Sequence, residues 1–202
     1  VHAGKVRYFG SSTFPAWMVV EAHWVSERRG RERLATEQPP YSLLVRGIEA
    51  EVLEVCQRYG MGVIPWSPLA GGWLSGRFGT GKDNTSRRAE RLPARYDLDD
   101  PANAAKLGAV DQLSLLAEKS GYSLPELAVA FVLVHPAVSS AIIGPRTMDQ
   151  LTSLLGAPGI RLDQKVLDRI DEIVPPGVDL NVADHGWDPP WVTDASRRRR
   201  PG

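Results

Sequence analysis

Short apolar runs alternate with amphipathic stretches along this chain, and the alternation predicts strands followed by helices. Val6, Tyr8 and Phe9 mark a strand over residues 6–10, and Ser11, Ser12, Thr13, Phe14 and Pro15 form a loop with capping hydroxyls. Trp17, Val20, Trp24 and Val25 give a partial apolar stripe, so residues 16–29 read as a helix. Residues 34–38 are a second short strand, broken at Pro39 and Pro40. Ile48, Val52, Val55, Cys56 and Tyr59 stand at helical spacing over residues 48–59, and Gly60 and Gly62 punctuate the end. Residues 61–66 are a third strand.

The next stretch, 69–101, is dense in Arg, Gly and Asp and reads as a long insertion loop of functional or mobile character. Leu107, Val110, Leu113, Leu116 and Ala117 then face one side of a helix over 104–121. Ser123 with Glu126 three residues on is a capping box. It opens a helix over 124–135 that is apolar nearly all round and so deeply buried. Residues 138–143 are a fourth strand. Thr147 caps a helix over 148–155, Asp163 caps another to 173, and residues 179–202 form an irregular tail. Strands separated by helices imply a parallel sheet, hence the α/β class. Four βα units are half of the eight that close a barrel, so the pattern fits a small open sheet or half a barrel. Residues 1–178 form the folded unit on this reading.

Composition narrows the functional classes. The 24 basic and 24 acidic residues balance, so no bulk field draws the chain to nucleic acid or membrane. The run Arg197 to Arg200 reads as a solvated tail end. One cysteine, Cys56, excludes an internal disulfide framework and the usual zinc patterns, and its apolar neighbours make it a buried thiol. No apolar stretch is long enough to span a bilayer and no signal peptide opens the chain, which makes the cytosol the expected location. His23 on the first helix reads as a surface residue and His135, before Pro136, as a capping or packing one. His185 sits beside Asp184 with no third partner near it in sequence. With His2 included, no metal-ligand or Ser-His-Asp spacing emerges.

The candidate chemistry concentrates after the third strand. Val63 and Ile64 run into Pro65, Trp66, Ser67 and Pro68, and then into a loop rich in Ala70, Gly71, Gly72, Ser75 and Gly76. A buried parallel strand emptying into a glycine-rich loop lets a ligand approach the backbone, with Trp66 at the functional carboxyl end of the strand. The same pattern also describes an ordinary strand-to-loop corner with a packed Trp. Four segments taken together resemble the aldo-keto reductase family: residues 4–14 its fifth barrel strand and serine loop, 37–42 the sixth, 66–72 the seventh and 141–151 the eighth. The terminal segment 163–177 fits as well. The branch resembled is the one with Trp at the nicotinamide-stacking position.

That resemblance implies a (β/α)8 barrel, here an incomplete one of about four units plus a C-terminal helix and tail. It also implies NADP(H)-linked interconversion of aldehydes or ketones and alcohols. Trp66 would stack on the nicotinamide, and Ser12, Thr13 and Gln38 would hold its carboxamide. Thr13 stands where many relatives carry Asn. Ser67, Pro68, Leu69, Gly71 and Gly72 would line the pyrophosphate path, with Arg77 reaching a phosphate. Gly144 and Arg146 open a helix N-terminus where the guanidinium would meet the 2′-phosphate of NADP, followed by Gln150 and Ser153. Leu154 takes a place where relatives often have Asn, and it cannot make that hydrogen bond. The family's catalytic Asp, Tyr, Lys and His lie on strands two to four, which match nothing in this chain. The expectation is therefore no catalytic residue here, no turnover alone, and a small-molecule carbonyl substrate only for the full-length family. The competing expectation is a non-catalytic half-barrel that binds nucleotide or self-associates into a homo-oligomer through exposed edges.

Overall fold

A computed structural model describes residues 1–82 and 86–200. The part of the predicted insertion at 83–85 and the last two tail residues lie outside the described residues. Three parallel strands form one sheet in chain order: β1 (Gly10–Ser11), β2 (Thr36–Glu37) and β3 (Gly62–Val63). Gly10 pairs with Thr36, and Thr36 with Gly62. The fourth predicted strand runs beside β3 without forming a full ladder. Val138 bridges Val63 in parallel, and the Ser139 and Ile142 amides donate to the carbonyls of Val63 and Pro65.

The strands are shorter than the apolar pattern predicts because proline interrupts them. Pro39, Pro40 and Pro65 have no N–H to donate, so the ladder continues past β2 and β3 only as the isolated bridge between Pro40 and Trp66. On the outer side, β1 has no strand partner among the described residues, and the predicted 6–10 strand shrinks to its last residue. Val6 and Tyr8 are left exposed there.

Side-chain caps open the helices between residues 86 and 173, whereas the helix at residue 16 starts at Pro15 without one, so the loop hydroxyls of residues 11–13 do not cap it. Helix α1 (Ala16–Arg28) and the short α2 (Val52–Arg58) pack on each other, and a single turn of 3₁₀ helix at Gly47–Ala50 replaces the predicted start of α2. Helix α3 (Arg87–Arg91) lies in the insertion, and α4 (Pro101–Lys119) starts three residues earlier than expected because Asp100 caps Ala102 N–H. Helix α5 (Leu124–Val134) has the full Ser123–Glu126 capping box and buries an unbroken run from Leu127 to Val132. Thr147 caps α6 (Met148–Gly156) and Asp163 caps α7 (Gln164–Ile173). The tail ends in a one-turn α8 (Pro190–Thr193). The α/β class read from the sequence stands. No described helix is long and apolar enough to cross a membrane.

Several further expectations are corrected. The inward face of α1 is Ala16, Val19 and His23, while Trp17 and Trp24 are 52% and 54% exposed. His23 is therefore not a surface residue: its Nε2 lies 2.9 Å from Met61 Sδ and its ring stacks on Tyr59. Burial pulls its pKa below 6.5, helped by the Arg33 charge. The insertion is not structureless either. Trp73, Leu74 and Phe78 are buried in it, Tyr96 stacks on Trp73 at 5.5 Å, and Thr80 N–H donates to Asp111 of α4.

The partners of His185 are Asp188 at 3.0 Å and Asp179 at 3.9 Å, because Asp184 is taken by Lys106. Cys56 is fully buried, and desolvation pushes its thiol up to about 11, so it stays protonated and unreactive at neutral pH. The Ala137 amide donates to His135 Nδ1, which closes the turn after α5.

Candidate functional site

The chain turns sharply after β1 and after β3, and the backbone there is unusual. Thr13, Ser67 and Ala70 have φ of 59°, 62° and 48°, in the left-handed region that non-glycine residues avoid. The Ser67 turn is held by its own hydroxyl, which accepts from Gly71 N–H at 3.0 Å. Gly71 also adopts positive φ, and its carbonyl accepts from Tyr96 Oη at 2.8 Å, tying the turn to the insertion. The sequence motif from Trp66 to Gly72 therefore becomes a rigid corner with its backbone toward an open groove.

The Thr13 turn has a different organiser. Glu37 is fully buried at the end of β2, and its carboxylate accepts from Ser11 Oγ and from Phe14 N–H at 3.1 Å. Burial raises its pKa above the ordinary carboxylate value, and the hydrogen bonds oppose that rise. Sequence reading passes over Glu37; an acidic residue inside a buried strand is the signal that would have found it. Ser12 Oγ donates to the Gln38 carbonyl at 2.8 Å, so Ser12 and Gln38 adjoin across β1 and β2.

A groove of about 1130 Å³ runs from Trp66 toward the start of α6. Ser67, Pro68, Leu69, Gly71, Gly72 and Arg77 line it near the β3 turn. Gly144, Arg146, Gln150 and Ser153 line it at the α6 end, with Leu154 beside them. Ser12, Thr13 and Gln38 do not line this groove; Thr13 lies at the far side of Trp66, where Gly186 fits between the two. The Gln150 side chain is already used, since its Oε1 accepts from Arg146 N–H at 2.8 Å.

Arg88 and Arg91 of α3 join the lining, with Ser86 at the helix cap. They were not predicted, although the Ser-Arg-Arg-Ala-Glu-Arg run after residue 85 carries both a cap and the charge. Arg77, Arg88, Arg91 and Arg146 line the groove, and Asp149 is the single acid among its described lining residues, which makes this lining cationic in a chain of balanced charge. Such a row of guanidinium groups suits an elongated polyanion. Among the described residues no cluster of His, Cys, Asp or Glu could hold a metal ion.

The insertion and the tail meet behind this groove. Asn103 of α4 is fully buried and donates to the carbonyls of Ala94 and Asp97 in the insertion, while its own Oδ1 accepts from Asn181 of the tail. Lys106, one turn on, is also fully buried; it pairs with Asp184 at 2.7 Å and lies 4.8 Å over the Trp73 ring.

Comparison with known proteins agrees with this architecture. The aldo/keto reductase family model matches residues 1–175. The chain is 39% identical over 175 residues to a Bacillus subtilis protein named "Uncharacterized oxidoreductase YrpG", covering 87% of this chain and 51% of that one. It is 32% identical over 183 residues to a rice protein named "Probable voltage-gated potassium channel subunit beta", covering 85% and 53%. It is 29% identical over 176 residues to the versiconal hemiacetal acetate reductase of Aspergillus parasiticus, covering 85% and 49%. The chain spans about half the length of these curated relatives. With successive parallel βα units, a glycine-lined turn after β3 and a family match over most of its length, the chain belongs to the aldo/keto reductase family.

Proposed function

We propose that this chain grips NADP(H) for an aldo-keto reductase that interconverts carbonyl compounds and alcohols. The observation that carries the reading is the single groove joining Trp66 to Arg146 through the Ser67–Gly72 turn. In it Trp66 supplies an aromatic face for the nicotinamide, with Ser12, Thr13 and Gln38 on the carboxamide side. Arg77, Arg88 and Arg91, beside the Ser67 turn, neutralise the pyrophosphate. Arg146 and the start of α6 take the adenosine 2′-phosphate. The bound nucleotide would supply the hydride; the protein's part is to hold it flat, oriented and screened from water.

The proton donor of the reaction lies outside these residues on this reading. The described tyrosines near the groove are occupied and weakly acidic: Tyr41 donates to Glu49 at 2.7 Å and Tyr96 to Gly71 O, and burial raises the pKa of both. The isolated chain should bind NADPH without consuming it in the presence of a reactive aldehyde. Tryptophan fluorescence titration tests the grip: Arg146→Ala should weaken NADPH binding about tenfold or more, the scale of one lost charge-assisted contact, and leave NADH nearly unchanged. Equal loss for both nucleotides would remove the 2′-phosphate role from Arg146.

A second reading, a self-associating binding module, is favoured by one observation. Trp17, Val20 and Trp24 form an exposed apolar face on α1, and the outer edge of β1 has no strand partner among the described residues.

A further inference from the structure

The C-terminal tail is irregular, but it is not free. Residues 181–188 cross the carboxyl ends of the strands as a strap fixed at several points. Arg95 donates to the Ala183 carbonyl at 2.8 Å, Asn181 to Asn103 at 2.9 Å, and the fully buried Lys106 pairs with Asp184. Further on, Trp187 packs on Trp191, which lies 6.0 Å from Trp17 of α1.

Between these anchors the strap touches down at Gly186, whose φ is +90°. A Cβ there would lie 3.1 Å from Thr13 Cγ2, 3.2 Å from Trp66 Cζ2 and 3.4 Å from Pro40 Cγ. Only a residue without a side chain settles at that spot without pushing its neighbours. The strap thus fills the gap between Trp66 and Thr13, while the rest of the groove, from the Ser67 turn to Arg146, stays open.

We propose that the strap is an autoinhibitory plug: Gly186 occupies the place of the nicotinamide ring, and Lys106 with Asp184 latches it shut. The proposal rests on the NADP(H) reading of the groove, because the ring is placed between Trp66 and the Thr13 loop by that reading. Its consequence is a division of the site. The adenosine half of the nucleotide binds without hindrance, and the nicotinamide half binds only in the fraction of molecules whose strap is lifted.

The test uses the full chain and two probes, NADPH and adenosine 2′,5′-bisphosphate, which keeps both phosphates of the adenosine half and lacks the nicotinamide. Affinities are measured by calorimetry for the wild type, Asp184→Asn and Gly186→Ala, with thermal melting to show that each variant is folded. Asp184→Asn weakens the latch, and Gly186→Ala lifts the strap even if the latch variant fails to fold. The expected result is an NADPH affinity raised about tenfold in both variants, as when a site competent in one molecule in ten becomes open in nearly all. The bisphosphate affinity should stay unchanged.

Hydrogen exchange of residues 181–188 should quicken when NADPH binds the wild type and not when the bisphosphate does. Variants that leave the ratio of the two affinities unchanged, with both probes bound, overturn the plug and spare the cofactor reading. Failure of both probes to bind any of the folded proteins overturns the cofactor reading and the plug together.

Discussion

Glu37 shows how one buried side chain can set a site it need not touch. Its carboxylate holds the Thr13 turn through Ser11 and Phe14 N–H, at the cost of carrying a group that burial pushes toward the protonated form. The sign of its pH effect follows. With the folded pKa above the ordinary value of 4.5, the native state keeps its proton longer than the unfolded chain. The Glu37 contribution to stability is therefore full below that value and declines as pH rises through the folded pKa. Urea unfolding between pH 4 and pH 7 should show this decline in the wild type and a shallower one in Glu37→Gln, which cannot ionise. Identical slopes would remove Glu37 from the titration. His23 acts in the opposite sense: its lowered pKa makes stability fall as pH drops below 6.5.

The insertion is the element whose character changed most between sequence and structure. Read along the chain it is polar and glycine-rich, but its three aromatic residues collect into one cluster. Trp73 meets Phe78 at 4.8 Å and Tyr96 at 5.5 Å, and Lys106 caps the ring. Trp73 and Phe78 are five residues apart and Tyr96 lies eighteen further on, across a polar stretch that carries no continuous apolar period, so no pattern reveals that these rings meet. Trp73→Ala should lower stability by about 3–5 kcal/mol, the usual result of removing a buried aromatic ring. It should also weaken nucleotide binding, since α3 with Arg88 and Arg91 loses its support. A normal melting curve would show the cluster to be dispensable.

At the scale of the molecule, the α1 surface is the open question of assembly. Trp17 and Trp24 are more than half exposed and β1 has no outer strand partner among the described residues, and an apolar face and an open strand edge each favour contact with another surface. Under the self-association reading, sedimentation velocity should show the wild type as dimers or larger species and the double variant Trp17→Glu, Trp24→Glu as monomers. A wild type that sediments as a monomer at high concentration would end that reading. Nucleotide binding should persist in the variant, because neither residue lines the groove.

What the chain states locally was readable before any coordinates. Ser123, Thr147 and Asp163 cap their helices because capping is a contact between a side chain and amides two or three residues away. The parallel order of β1, β2 and β3 follows from helices placed between them, and the motifs from Trp66 to Gly72 and from Gly144 to Ser153 name their loops. What depended on tertiary structure was every contact between distant segments: which face of α1 is buried, that Glu37 holds the Thr13 turn, that Arg88 and Arg91 reach the groove, and that Gly186 lies against Trp66 from 120 positions away in the chain. Periodicity reports that a face is apolar, but only the packed neighbours decide which side they cover, and no local pattern encodes a meeting between residues so far apart.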